Sequence, residues 1–147
     1  MAVQKDAPEL NEQLCFALYS TSRSVTQAYK ALLEPLKLTY PQYVVMMAIW
    51  NTEKETFNIS DIATTTGLSN ATLTPLLNRL ISTGYIKKIA DKNDERHKLI
   101  QLTSAGKKLA PKAKIASEKA LCATGLNDRQ VVELMSFCET IRKNLSD

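Results

Sequence analysis

Glycine and proline are scarce in this chain of 147 residues, which contains four and five of them. Together they make up half or less of their usual share, which argues against collagen-like, disordered and turn-rich β chains and favours helices. Hydrophobic residues at 44% and charged residues at 23% are ordinary for a globular protein. The length corresponds to about one domain, which can fold without a metal or a disulfide.

Long hydrophobic runs are also missing from the sequence. No stretch of about 18 apolar residues occurs, so we expect no transmembrane helix and no membrane partner. The first ten residues lack the apolar centre of a secretory signal. We therefore expect a cytoplasmic protein.

Histidine and cysteine, the usual ligands of metals such as zinc, are few and widely spaced. His97 is the single histidine, which argues against a histidine-based metal site, and we assign it to the protein surface. The cysteines at positions 15, 122 and 138 do not have the spacing of metal ligands. They are interpreted as buried hydrophobic residues or redox thiols, and we expect no metal or other cofactor.

The net charge of +4 is concentrated in the middle of the chain. Residues 1–61 have five Lys/Arg and seven Asp/Glu, residues 62–119 have eleven and four, and residues 120–147 have three and four. The central block therefore has a charge of +7. Concentrated positive charge is typical of a surface that binds polyanions, although lysines that only improve solubility would give the same count.

The spacing of apolar residues predicts helices in the first half of the chain. A stripe with three- and four-residue spacing from Leu10 to Leu36 predicts one long helix. A second helix begins near Pro41, which suits a first helical position. Two shorter helices, with Asn58 and Ser69 as N-caps and Gly67 between them, then form a predicted helix-turn-helix.

The spacing of the apolar residues changes from a helical to a strand pattern after Gly84. Residues 85–89 and 99–102 are predicted as strands of a β-hairpin with a charged tip. A further helix is predicted from about Thr103 to about Leu121. A last amphipathic helix follows the N-cap candidate Asn127. The prediction is therefore a mainly helical chain with one small β element.

The second helix of a helix-turn-helix normally enters the DNA major groove. Its polar face has short hydrogen-bonding side chains and one cation, and residues 69–83 include no acid, whereas an ordinary solvated face would more often combine Glu with Lys. The DNA-binding candidates on this helix are Ser69, Asn70, Thr72, Thr74, Asn78 and Arg79. The hairpin tip adds Lys92, Arg96 and Lys98, and an arginine there fits the narrow minor groove.

Motifs in the hairpin and near the N-terminus resemble a known family. The residues Asp94-Glu95-Arg96 followed by Leu102-Thr103-Ser104-Ala105-Gly106 resemble the D-x-R…L-T-x-x-G wing motif of MarR-family winged-helix regulators. Gln13-Leu14-Cys15-Phe16-Ala17-Leu18-Tyr19, Tyr29 and Thr39-Tyr40-Pro41-Gln42-Tyr43 are similar to the organic hydroperoxide resistance regulators (OhrR) within that family. The similarity spans nearly the whole chain.

The resemblance implies a single winged helix-turn-helix domain over residues 1–147. Residues of about 57–103 would then form the DNA-binding region, and helices in about 9–36 and 104–146 would form a homodimer interface. The implied partner is double-stranded DNA with a palindromic operator, and the implied role is usually repression. Arg96 would enter the minor groove, and Asp94 would orient it.

Cys15 is the candidate sensor. A reactive cysteine must be a thiolate, which needs donors or cations nearby, and the local sequence offers no Lys or His while Glu12 opposes ionisation. Tyr19 lies one turn away, but Tyr29 is about 21 Å along a continuous helix and could reach only another subunit's thiol. The resemblance implies this arrangement, with Tyr29 and Tyr40 donating across the dimer.

The implied inducer is an organic hydroperoxide that is attracted by apolar residues such as Phe16 and Met46, oxidises Cys15 to sulfenic acid and so releases DNA. A second cysteine or a small thiol would then fix the oxidised state. We expect Cys122 to be the resolving cysteine, because a residue near a helix end moves at less packing cost than Cys138.

Two other functions remain open from the sequence. One is a MarR repressor that is released by a non-covalent aromatic ligand, with Cys15 only lining the pocket. The other is a thiol peroxidase, but no Arg or His is evident beside Cys15 to polarise a peroxide. We therefore expect a regulator rather than an enzyme.

Overall fold

The computed structural model describes residues 7–94 and 96–146. Glu95, which belongs to the predicted wing motif, and the chain ends at 1–6 and 147 lie outside the described residues. The helices are α1 (Leu14–Leu33), α2 (Tyr40–Trp50), α3 (Ile59–Thr66), α4 (Asn70–Ser82), α5 (Ser104–Ala123) and α6 (Asp128–Leu145), and the strands are β1 (Thr56–Phe57), β2 (Ile86–Ala90) and β3 (Lys98–Leu102). The predicted mainly helical chain with a small sheet is confirmed.

Helix α1 is shorter than the apolar stripe predicted. Leu10 lies in a 3-10 turn over Leu10–Glu12, and Leu36 lies in another over Glu34–Leu36. Pro35 has no backbone N–H to continue the α-helical hydrogen bonding, which explains the end of the helix before Leu36. Lys37 then adopts a left-handed conformation with φ of 54°, so the chain turns towards α2.

Helix α2 begins with a capping box. The Thr39 hydroxyl accepts a hydrogen bond from the Gln42 backbone N–H at 3.5 Å, and the Gln42 side chain accepts one from the Thr39 N–H at 2.9 Å. Pro41 lies in the first turn at the second helical position, one residue later than predicted, because the helix already begins at Tyr40. These bonds satisfy two N–H groups that have no partner within the helix.

The helix-turn-helix is formed by α3 and α4. Gly67 ends α3 with φ of 69°, and the Ser69 hydroxyl caps α4 by accepting from the Thr72 N–H at 3.2 Å. Leu73, Leu77 and Leu80 turn the apolar face of α4 into the core. The predicted boundaries of this motif are therefore confirmed.

The sheet has a third strand that the sequence did not predict. Strands β2 and β3 pair antiparallel from Ile86–Leu102 to Ala90–Lys98, and β1 pairs antiparallel with the other edge of β3. β1 has only two residues, which is too short to show an alternating pattern. Its Phe57 is nevertheless buried in the core.

The residues at the start of α5 are hydrogen-bonded to the base of the hairpin. The Thr103 hydroxyl can donate to the Gly84 carbonyl at 2.6 Å or to the Tyr85 carbonyl at 3.1 Å, and it accepts from the Gly106 N–H at 3.1 Å. Trp50 of α2 donates its indole N–H to the Gly106 carbonyl at 3.0 Å. The Leu-Thr-x-x-Gly part of the wing motif thus joins α5 to the hairpin and to α2.

The outer helices leave apolar side chains uncovered in the single chain. Helix α6 has no fully buried residue, and α1 has only Leu33. Val132, Met135 and Phe137 of α6 are each about two-thirds exposed, at 68%, 67% and 66%. Within residues 7–94 and 96–146, no helix is both long and apolar enough to cross a bilayer.

Candidate thiol site and nucleic-acid interface

Three tyrosine rings form a cluster where α1 meets α2. The ring centroid of Tyr29 lies 5.0 Å from that of Tyr40 and 5.5 Å from that of Tyr43, and the last two are 6.2 Å apart. Trp50 extends the cluster, at 6.4 Å from Tyr43. We call Tyr29, Tyr40 and Tyr43 the tyrosine cluster. The sequence predicted roles for Tyr29 and Tyr40 but not for Tyr43.

A serine of α5 completes the cluster. The Tyr29 hydroxyl donates to the Ser117 hydroxyl across 3.4 Å. Burial raises the pKa of Tyr40 and of Tyr43, and the nearby Tyr29 phenol raises both further. The hydrogen bond from Ser117 lowers the pKa of Tyr43 without cancelling these effects. The buried phenols therefore stay protonated near neutral pH and can act as hydrogen-bond donors.

Cys15 is exposed in the first turn of α1. Because α1 is continuous from Leu14 to Leu33, the 14 residues between Cys15 and Tyr29 span about 21 Å. The thiol and the tyrosine cluster of one chain are thus far apart. Tyr19 is itself 61% exposed, and its ring lies 5.7 Å from the Arg23 guanidinium carbon, a cation that sequence reasoning overlooked.

The position of Cys15 within α1 also differs from the prediction. A helix that begins at Leu10 would place Cys15 in its interior, whereas the observed start at Leu14 places it at the N-terminal end. Backbone N–H groups there have no intrahelical acceptor, and the helix dipole favours negative charge. Sequence reasoning missed this contribution, because the apolar stripe begins before the α-helix does.

The other two cysteines differ in exposure. Cys122 is exposed near the end of α5, and Cys138 is half-buried on α6. All three cysteines are free thiols. The prediction that Met46 lines a hydroperoxide pocket is wrong, because its side chain is 0% exposed and packs in the core of the chain.

The candidate DNA-binding residues of α4 lie on its solvent face. Three of their polar atoms already have local partners: the hydroxyls of Ser69 and Thr72 are 3.0 Å apart, and the Thr74 hydroxyl donates to the Asn70 carbonyl at 2.9 Å. A hydroxyl can still accept further bonds in these arrangements. The exposed residues are Ser69, Asn70, Thr72, Thr74, Asn78 and Arg79.

The last two residues of this set lie towards the C-terminal half of α4. Asn78 accepts a hydrogen bond from Lys88 of β2 at 3.4 Å. Arg79 lines a cleft of about 690 Å³ together with Lys30 and Lys37. These two residues are therefore separate from the four others, which lie at the N-cap and in the first two turns of α4.

The hairpin tip is held by its own polar groups. The Asp94 carboxylate accepts from the Arg96 N–H at 3.0 Å and lies 3.8 Å from the Arg96 side-chain Nε. The Arg96 side chain is otherwise 96% exposed, as expected of a residue that projects from the tip. Lys92 and His97 are also exposed there, and Lys98 begins β3.

A metal centre has no support in the part of the chain that the structure describes. Residues 7–94 and 96–146 contain no group of three or more His, Cys, Asp or Glu that could hold a metal ion.

Comparisons with known proteins agree with this architecture. The family pattern of the SarA/Rot transcriptional regulators matches residues 27–112. The organic hydroperoxide resistance transcriptional regulator of Bacillus subtilis (strain 168) is 42% identical over 108 residues, which cover 74% of this chain and 72% of that protein. The HTH-type transcriptional regulator TtmR of Methylorubrum extorquens (strain PA1) is 40% identical over 107 residues, or 73% of this chain, but the match spans only 54% of that protein.

A solved structure is similar over nearly the whole chain. Reduced AbfR bound to DNA matches with a TM-score of 0.76 and 30% sequence identity, and the match covers 94% of this chain and 95% of that one. AbfR comes from Staphylococcus epidermidis.

Proposed function

This chain belongs to the SarA/Rot/MarR-type family of winged-helix transcriptional regulators, and we propose that it represses transcription from a palindromic operator until an organic hydroperoxide oxidises Cys15. Membership of the family confirms the predicted winged helix, and it confirms a regulator rather than an enzyme. The observation that supports the sensing role most strongly is the exposed thiol at the N-terminus of α1, in a chain whose Bacillus relative is named for organic hydroperoxide resistance.

The proposed active form is a homodimer. The uncovered apolar face of α6 and the exposed first half of α1 need a partner, because large exposed apolar patches are unusual in monomers. A second copy of the chain also explains how Cys15 and Tyr29 could act together, although they lie far apart within one chain. If the α1 helices of two subunits cross, the thiol of one subunit meets Tyr29 and Tyr40 of the other.

The proposed DNA contacts come from the solvent faces of α4 and the hairpin. Ser69, Asn70, Thr72 and Thr74 at the N-terminal half of α4 enter the major groove, where hydroxyl and amide groups bond base edges. Asn78 and Arg79 then contact the flanking backbone. Arg96, oriented by Asp94, enters the minor groove, and Lys92 and Lys98 add phosphate contacts.

The proposed switch is a two-electron oxidation of sulfur. The Cys15 thiolate attacks the terminal oxygen of the hydroperoxide, so an S–O bond forms, the O–O bond breaks and the leaving alkoxide takes a proton to become an alcohol. The resulting sulfenic acid then condenses with the Cys122 thiol of the partner subunit, which forms a disulfide and releases water. Oxidation breaks the contacts of the tyrosine cluster with the thiolate and shifts the two DNA-binding regions relative to each other.

A gel shift on the DNA upstream of the gene for this chain tests the proposal. We expect the reduced wild type to bind and cumene hydroperoxide to release it, whereas Cys15→Ser binds but is not released. Release of Cys15→Ser by the peroxide would overturn the sensor assignment. Cys138→Ser is the matched control and should respond as the wild type does.

Two further arms of this experiment separate the alternatives. Non-reducing electrophoresis of the same samples should show an intersubunit disulfide in the wild type and none in Cys122→Ala; a disulfide that survives this change eliminates the proposed resolver. Salicylate is added to protein with all thiols blocked. Release of DNA under that condition would favour the non-covalent aromatic ligand instead.

A further inference from the structure

Lys88 of β2 contacts the solvent face of α4. Its ammonium group donates to the side-chain oxygen of Asn78 at 3.4 Å, and both side chains are exposed. The register of the hairpin explains this contact. Lys88 pairs with the buried Ile100, and directly opposite residues point to the same face of a sheet, so Lys88 extends towards the helices while Lys87 points to the other face.

The contact with Lys88 determines which way round the Asn78 amide lies. A lysine ammonium has three donors and no acceptor, so only the amide oxygen of Asn78 can face it. The two N–H groups of the amide lie on the opposite branch of the same planar group and remain for another partner. Asn78 is therefore presented to solvent as a hydrogen-bond donor.

A donor surface of this kind limits what Asn78 can bind on DNA. An asparagine that reads adenine uses its oxygen to accept from the amino group of the base and its nitrogen to donate to a ring nitrogen. At Asn78 the oxygen is already engaged by Lys88. The ammonium keeps two further N–H donors, Arg79 follows directly, and residues 69–83 include no acid. These donors fit the oxygens of a phosphate better than the edge of a base.

The position of Asn78 along α4 agrees with a phosphate contact. Asn78 lies nine residues after the N-cap Ser69, which corresponds to about 14 Å along the helix axis. The major groove is about 12 Å wide. A helix whose first turns lie among the bases therefore brings Asn78 and Lys88 to the DNA backbone at the edge of the groove.

We propose that Lys88 binds a DNA phosphate together with Asn78 and, by holding the amide oxygen, commits Asn78 to the backbone instead of a base. This inference rests on the proposed contact of α4 with the major groove. The contribution of the pair does not depend on the base sequence, because phosphates carry no sequence information directly. Sequence recognition by α4 is then left to the polar residues at its N-cap and in its first two turns.

The two adjacent lysines of β2 provide a matched test. Lys88→Met removes the charge and keeps the apolar stem, and Lys87→Met makes the same change on the other face of the strand. Lys88→Arg keeps both charge and donors. The full-length, reduced proteins are titrated by fluorescence anisotropy onto two duplexes, each over a series of salt concentrations. One duplex is the DNA upstream of the gene for this chain, and the other is a shuffled duplex of equal length and composition.

We expect Lys88→Met to weaken binding to both duplexes about tenfold and to reduce the salt slope by about one for each subunit. Lys87→Met should leave the slope unchanged. Lys88→Arg should retain most of the affinity, because a guanidinium also donates to phosphate. The melting temperatures of the three variants should match that of the parent, since both lysines are exposed.

A double-mutant cycle with Asn78→Ala tests whether the two side chains share one phosphate. If they do, Asn78→Ala costs less affinity in the Lys88→Met background than in the parent. Asn78→Ala should also weaken binding to both duplexes by the same factor. A loss confined to the upstream duplex would mean that Asn78 reads a base, and additive losses would mean that the two side chains act separately; either result overturns the joint role.

Unchanged affinity and salt slope in Lys88→Met, or an equal loss in Lys87→Met, would overturn the contact of Lys88 with DNA. A parent protein that does not prefer the upstream duplex would instead refute the proposed operator. The comparison of the variants on shuffled DNA would still test Lys88 in that case. The two failures are therefore distinguishable in one set of titrations.

Discussion

Replacing Gly106 by alanine has two opposite effects on the stability of the fold: a gain in helix propensity and a loss from steric overlap. In an ordinary helix position, alanine is favoured over glycine by about 1 kcal/mol. At Gly106, however, an added Cβ would overlap the backbone carbonyl of Tyr85 and lie 3.1 Å from Cδ2 of Leu102. The backbone carbonyl of Tyr85, directly before β2, cannot turn away as the end of a side chain can, so α5 must move from the hairpin.

The expected cost follows from what that movement disturbs. Overpacking costs about 1–3 kcal/mol, and we take about 3 kcal/mol because the obstruction is backbone. The displacement also loosens the hydrogen bonds of Thr103 and Trp50, which join α5 to the hairpin and to α2. After the gain of about 1 kcal/mol in helix propensity, the net loss is about 2 kcal/mol.

Urea and thermal unfolding of Gly106→Ala measure this loss. For a chain of this size, about 2 kcal/mol lowers Tm by about 4–8 °C. Protein concentration is held constant, because dimer formation contributes to apparent stability. Lys107→Ala, an exposed neighbour in the same turn, should change the free energy by no more than about 0.5 kcal/mol. A Gly106→Ala protein as stable as the wild type, or more stable, would refute the packing argument.

Three further predictions concern the dimer, the hairpin and the buried phenols. Phe137→Asp places a charge on the uncovered face of α6 and should give monomers in sedimentation equilibrium, whereas persistence of the dimer would exclude this face. Arg96→Ala should weaken operator binding about tenfold and reduce the salt slope by about one, measured by fluorescence anisotropy; unchanged affinity would remove the hairpin tip from the interface. Because the pKa values of Tyr40 and Tyr43 are raised, their neutral forms add stability that is present below pH 10.0 and lost as pH rises through the raised values. Tyr43→Phe should therefore reduce the alkaline loss of stability, and an identical pH profile would contradict this.

The helix-turn-helix could be predicted because its ends are encoded locally. Gly67 supplies the left-handed turn and Ser69 supplies the cap, and both signals lie within three residues of the helix ends that they determine. The leucines of α4 then fix which face is buried. Local chemistry and periodicity agree in this segment, so the sequence alone was sufficient.

The thiol site depends on contacts that no local pattern records. Ser117 lies 88 positions from Tyr29 in the chain, and only the packing of α5 on α1 brings their hydroxyls together. The start of α1 at Leu14 could not be found either, because the apolar stripe continues through the preceding 3-10 turn. Met46 was assigned to a pocket although it lies in the core, because the sequence does not distinguish an apolar core residue of α2 from an apolar pocket residue.

Helix α5 connects the two halves of the proposed switch within one subunit. Its first turn is bonded to the hairpin base through Thr103, and its middle contacts the tyrosine cluster through Ser117, about 21 Å further along. Cys122 follows within two turns, so a disulfide there would act on the same helix. Pro111 lies between the two contacts and removes one intrahelical hydrogen bond, which makes it the point where α5 bends most easily. In the proposed switch, oxidation of Cys15 would therefore reach the hairpin in two ways, by movement of α5 as a whole or by a bend at Pro111. Both would displace the hairpin that the proposed DNA contacts require.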